Sequence, residues 1–149
     1  MPFITLTQAQ QHLRSDSDEA DLLLKIAAAE RAAIEYLQCN VYADQTALDA
    51  AIAAVPATLS AAKAAYIIAD AAADALTDYD MALDGKAHAM SLYMRAVYSA
   101  TRTRQGVVIN ELIQSAILLT LGWLNETRED GEALPRAAQD LLSPFRCYA

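Results

Sequence analysis

Few residues in this 149-residue chain are of the types that carry chemistry. His12 and His88 are its two histidines. Neither has a Cys, His or carboxylate at a metal-ligand spacing, and neither is followed by the partner a general base needs. Cys39 and Cys147 lie far apart, with no CxxC pair. That usage predicts reduced thiols, with one long-range bridge as the alternative. Phosphate-cradling glycine loops, a nucleophile elbow, HExxH and an EF-hand loop are all missing from the sequence. The strongest charged pattern is acidic. Asp70, Asp74 and Asp78 recur every fourth residue, on one face of a helix, and Asp80 and Asp84 follow. Such a stripe lacks the further oxygen ligands that Ca²⁺ wants. It reads first as a solvated face and second as the partner of a facing basic helix, where exposed pairs contribute about 0.2–1 kcal/mol each. Arg95, Arg102 and Arg104 supply that basic counterpart. Three arginines in a chain of net charge −8 are weak grounds for nucleic-acid binding, so ion pairing within the chain or with a neighbouring subunit is favoured. Asp70, Asp74, Asp78, Arg95 and Arg102 are therefore expected to make contacts between the arms or with a neighbouring subunit. Tyr66, Tyr79, Tyr93 and Tyr98, at helical spacing, read as packing residues. The residues predict no catalysis, no cofactor and no metal.

The elements that would position these residues are helices. With 55% hydrophobic residues but four Gly and four Pro, the chain is neither wholly disordered nor turn-rich enough for a β-sandwich. Thr7 is expected to cap a short helix through Arg14 that buries Ala9 and Leu13. Ser15 or Ser17 would cap a longer one, with Asp18, Glu19 and Asp21 in its first turn, where acidic charge suits the helix dipole. Its stripe of Leu22, Leu23, Ile26, Ala29, Ala33, Ile34 and Leu37 runs to Gln38, and Asn40–Asp44 breaks it. Thr46 would cap a brief helix that Pro56 stops. Fourteen of residues 50–75 are Ala, the strongest helix former, and Thr58–Leu83 holds no Gly or Pro. The expectation is an arm about 39 Å long, a turn at Asp84-Gly85, and a second arm to Arg104 with Met90, Tyr93, Val97 and Thr101 on one stripe. That register sets Asp74 near Arg95 and Asp70 near Ser99–Arg102. Val107–Glu129 reads as a helix apolar on nearly every side, hence central. Pro135 would open a last short helix that Ser143-Pro144 stops. The expected core is Leu22, Ile26, Ile34, Leu112, Ala116, Leu119 and Trp123. The opening MPFITLTQAQ is unlike a signal peptide, and the longest nearly apolar run, Ser115–Leu124, is short of the ~20 residues a bilayer needs. No membrane partner is expected.

Two stretches resemble one family. The first is ITLTQAQQHLRSDSDEADLLLKIAAAERAAIEY, residues 4–36. The second is ILLTLGWLNETRE, residues 117–129, followed by Leu134-Pro135 and by LLSPFR at 141–146. Together they are similar to the head–tail connector (adaptor or head-completion) proteins of long-tailed double-stranded DNA phages and prophages. That family's pattern opens on ITL-x-x-A-x-x-HLR-x-D and an acidic helix cap. It closes on an apolar helix ending near GHLYENRE, then LP, then LL-x-PYR. Gly122, Leu124, Glu126, Arg128, Glu129, Pro144 and Arg146 match, whereas Trp123, Asn125, Thr127 and Phe145 stand where His, Tyr, Asn and Tyr are usual.

The resemblance covers both ends and about half the chain. It implies an all-α fold, a small helical bundle from 1–57 and 105–149 with a long antiparallel helical hairpin inserted at about 58–104. It implies a non-enzymatic virion protein, made in the bacterial cytoplasm, whose copies form a ring under the portal. The ring would extend the DNA channel and receive the tail or a stopper protein, touching DNA without sequence preference. Free copies could be monomeric until the portal templates them. A candidate portal-docking tail follows: Leu141, Leu142, Pro144, Phe145, Arg146 and Tyr148. A net-negative wall offers few contacts to hold sliding DNA, so a ring of this kind would set Asp70, Asp74 and Asp78 in the channel, with Arg95 and Arg102 at channel or subunit contacts. The residues alone also admit a second reading, a soluble helical interaction module, a small adaptor or regulator that dimerises through the hairpin.

Overall fold

Thr5 and Gln8 start the fold with a reciprocal cap. The Gln8 amide N–H donates to Thr5 Oγ1 (3.3 Å), and the Thr5 N–H donates to Gln8 Oε1 (2.9 Å). The cap is thus Thr5, not Thr7, and the helix it opens, α1, spans Leu6–Leu13. The computed structural model describes residues 3–13, 18–126 and 134–147. The expected caps Ser15 and Ser17, the helix end at Arg14, and Thr127, Arg128, Glu129 and Tyr148 lie outside the described residues. α2 spans Glu19–Leu37, with Glu19 and Asp21 in its first turn. It ends at Gln38, whose φ of 57° is left-handed and whose N–H closes the last turn on the Ile34 carbonyl.

The all-α expectation holds, with one addition. Within Asn40–Asp44, Val41–Tyr42 forms a short strand, β1, which pairs in parallel with β2, Val107–Val108. The Val107 N–H donates to Asn40 C=O and the Ile109 N–H to Tyr42 C=O. This ladder ties the chain just before it leaves for residues 46–105 to the chain just after it returns. The expected single helix over Val107–Glu129 therefore begins later. Asn110 Oδ1 accepts from the Ile113 N–H, and α5 runs Glu111–Glu126. Asn110 is a cap, not a polar interruption. α6, Arg136–Leu142, follows Pro135, and a 3₁₀ turn, Ser143–Phe145, follows α6.

The described residues divide into two units, Met1–Gln45 with Gly106–Ala149, and Thr46–Gln105. In the first, the bundle, α2 packs on α5 and α6, and α1 packs on α2 and α5. Its core includes Ile4, Leu22, Leu37, Ile113, Ile117, Leu121 and Leu142, each fully buried. Burying a side chain of this size stabilises by about 1.5–3 kcal/mol. Glu30 pins the N-terminal segment: its carboxylate accepts from the Phe3 and Ile4 N–H groups.

The second unit is a hairpin of α3, Gln45–Asp74, and α4, Tyr79–Arg104. Pro56 does not stop α3 but lies inside it. The one bond it forgoes would run to the Ile52 carbonyl, and the helix continues past it with Leu48 and Val55 buried. The second unit therefore spans 46–105 rather than about 58–104, and the Thr46–Val55 segment belongs to it, not to the bundle. The turn falls at 75–78 instead of Asp84-Gly85. Asp78 fixes it, its carboxylate accepting from the Asp80 and Met81 N–H groups at 3.0 Å as the cap of α4. Gly85 serves close approach instead. A Cβ there would stand 3.1 Å from Ala73 Cβ, so its lack of a side chain lets the two arms meet near the tip.

Candidate functional site

No group of three or more His, Cys, Asp or Glu that could hold a metal is formed among the described residues. Cys39 is buried, Cys147 is half-buried, and neither is in a disulfide. The candidate site is consequently a set of surfaces, and three were anticipated.

The first is the C-terminal tail. It is described as far as Cys147 and packs on the bundle. Leu142 is fully buried, and Leu141 and Phe145 pack against the bundle core. The Arg146 guanidinium lies 4.9 Å above the Tyr36 ring, a cation–π distance. The Cys147 N–H donates to the Leu37 carbonyl at 2.9 Å. Among the described docking residues, Pro144 alone is exposed. The physical reason is that 134–147 supplies apolar side chains the α2–α5 layer needs to close its core.

The second is the expected central helix. Leu22, Ile26 and Ala116 are buried and Ile34 and Trp123 are half-buried. Leu112 and Leu119 are instead exposed, at 47% and 38%. α5 buries a single stripe of Ile113, Ala116, Ile117, Thr120 and Leu121, and Leu112 and Leu119, seven residues apart, fall together on its flank. Leu23 and Leu24 are likewise exposed on α2. Between α2 and α5 opens a groove of about 340 Å³, lined by Ala28, Ala32, Glu35, Tyr36, Thr120, Trp123, Leu124 and Leu134. Trp123 is a wall of this groove rather than a core anchor.

The third is the acidic stripe. Because the turn is at 75–78, Asp74 meets Lys86 at 2.6 Å, not Arg95. That bond, the nearest of its carboxylate contacts, holds the Lys86 ammonium above its ordinary range. Asp78 is consumed as a helix cap and Asp70 is half-buried. Arg95 is exposed, and Arg102 lies 6.0 Å from the Tyr98 ring. Tyr66 and Tyr93 do pack together, with ring centroids 5.7 Å apart.

The hairpin adds a surface that the stripe of Met90, Tyr93, Val97 and Thr101 only partly indicated. Ile52, Ile67, Ile68, Leu83, Met90, Met94 and Tyr98 are all exposed. α3 is also long and apolar enough to cross a membrane by length and composition, with a mean hydropathy of 1.5 over an 18-residue window that is 6% buried. No protein-family model, characterised protein or solved structure matches this chain.

Proposed function

We propose that this chain is a structural subunit of a phage particle, a connector whose copies form a ring beneath the portal and join the DNA-filled head to the tail. One observation carries the reading. Residues 4–36 and 117–146, which bear the family resemblance, lie some 80 residues apart in sequence, yet their helices pack on each other in one unit, while 46–105 forms another. The family-like part is thus a body of its own.

Ring closure needs two complementary faces on each copy. The bundle offers exposed Leu112 and Leu119 on α5, Leu23 and Leu24 on α2, and the Trp123 groove. The portal contact is assigned to the face that presents Pro144 and Arg146, with Leu142 and Phe145 holding it in place. The tail or a stopper protein would meet the ring's other end. DNA passes without sequence readout, since a chain of net charge −8 offers few phosphate contacts. The protein is then synthesised in the bacterial cytoplasm and resides at the head–tail junction, with no catalytic role.

The test is to mix this chain with the portal protein encoded beside it and image the mixture by negative-stain electron microscopy. Added ring density at the narrow end of the portal is the expected result. No added density, with a compact homodimer in solution, would overturn the reading in favour of a small interaction module, which the exposed apolar residues of the hairpin also suit.

A further inference from the structure

We propose that the hairpin pairs with the hairpin of a second copy of this chain, antiparallel, through one defined side, to form a four-helix bundle. The inference stands on the hairpin alone and is independent of the connector reading.

The side is fixed by one ion pair. On α4, Leu83, Met90, Met94 and Tyr98 recur at intervals of seven and four and share a side. Lys86, three residues after Leu83 and four before Met90, lies on that same side. Its Nζ reaches Asp74 of α3 at 2.6 Å. Asp74 shares its side of α3 with Asp70, Ile67 and Lys63, four, seven and eleven residues earlier, and Ile52 continues the row. One side of the hairpin therefore presents Ile52, Ile67, Leu83, Met90, Met94 and Tyr98, exposed by 37% to 57%. A single helix with this much uncovered apolar surface is unremarkable, but two adjacent helices exposing it on one side form a patch of the kind that marks an interaction site.

Size suits a second copy. α4 has 26 residues, hence about 39 Å of length. Two packed helices present a width of roughly 18–20 Å. The side is then on the order of 700–800 Å² per copy, the contribution each partner makes to a stable standard-sized interface.

Charge decides the orientation. The tip half of the hairpin, residues 66–86, carries Asp70, Asp74, Asp78, Asp80 and Asp84 against Lys86. The remaining half carries Lys63, Arg95, Arg102 and Arg104 against Asp49. Parallel pairing would set five aspartates beside five more. Antiparallel pairing sets each acidic tip against a basic base, places Met90 next to its own copy near the two-fold axis, and sets Leu83 opposite Tyr98. Complementary potentials of this kind fix register and suppress wrong partners. A bilayer fits the side less well: α4 would carry Asp84, Lys86, Arg95 and Arg102 into hydrocarbon alongside α3.

Sedimentation of the full chain, with a Met90→Asp, Met94→Asp variant, tests the pairing. The expected result is a dimer with Kd below about 100 µM that the double variant weakens at least tenfold, both residues being exposed so that the helical signal is retained. Orientation is read from single-cysteine variants by mass spectrometry of the cross-linked peptides. Met90→Cys is expected to form a 90–90 disulfide on mild oxidation and Asp78→Cys is not to form a 78–78 bond. A monomer across that concentration range, a dimer indifferent to the double variant, or a 78–78 bond would each overturn the proposal. So would binding of the free chain to phosphatidylcholine–phosphatidylglycerol vesicles that the double variant abolishes.

Discussion

In the bundle, α2 and α5 meet through Leu22, Ile26, Leu37, Ile113, Ile117 and Leu121, all but closed to solvent. In the hairpin the most shielded positions are Leu48, Val55, Ala73, Ala89 and Ala100, at 2–8% exposure. Alanine favours the helix but buries little area, and small side chains leave hollows of about 350 and 170 Å³ along the seam between the arms. One region is therefore held by packing and the other by local helix propensity and a few fixed points at its tip. The contrast teaches that a pair of 26- and 30-residue helices is no guarantee of a core. Such a pair leaves its larger side chains outside, available to something else.

The comparison can be broken most severely at Leu142. Leu142→Ala should cost the bundle about 2–5 kcal/mol, read as a fall in the midpoint of its denaturant transition, whereas removing residues 141–149 should abolish the cooperative transition. An unchanged transition after truncation would show that the tail contributes nothing to the bundle core. Gly85→Val tests the hairpin's close point: a side chain 3.1 Å from Ala73 Cβ should cost about 1–3 kcal/mol, seen as faster amide exchange in 66–93 with the bundle unaffected. Gln38→Gly should stabilise the bundle by about 1 kcal/mol, because φ of 57° strains a residue with a Cβ. The smallest effect is at Lys86. Its ammonium is held above its ordinary value of 10.5, chiefly by the hydrogen bond it donates to Asp74. A raised folded value means the contribution is complete below pH 10.5 and is lost as pH rises through the higher folded value. Thermal melts of the hairpin helices should therefore be flat near neutrality, with Lys86→Met eliminating only the alkaline decline assigned to this pair.

The stripe Leu22, Ile26, Ala29, Ala33, Leu37 was legible because a 3.6-residue period leaves one side to bury. So was the last helix, through Pro135 and Ser143-Pro144. The turn of the hairpin was not. Asp84-Gly85 is a turn dipeptide in isolation, but Asp78 offers a capping carboxylate and Gly85 a bare surface for Ala73, and tertiary contact decided between them. One displaced turn re-registered every charge pair across the arms and replaced Asp74–Arg95 by Asp74–Lys86. Pro56 misled too, since the one hydrogen bond it forgoes is a small share of those made by a helix of 30 residues. Thr5-x-x-Gln8 was a signal present in the sequence, since it is a capping box. The exposure of Leu112 and Leu119 carried no such signal: apolar side chains look alike whether they face a core or await a partner.

The central claim is that the terminal segments form a self-sufficient connector body and that 46–105 is appended to it. The most direct measurement is negative-stain electron microscopy of the portal protein mixed with the full chain and, separately, with a variant in which a short linker replaces residues 46–105. The account predicts ring density at the narrow end of the portal in both mixtures, with the hairpin's contribution missing from the second. Density from neither mixture, or unfolding of the shortened chain, would contradict it.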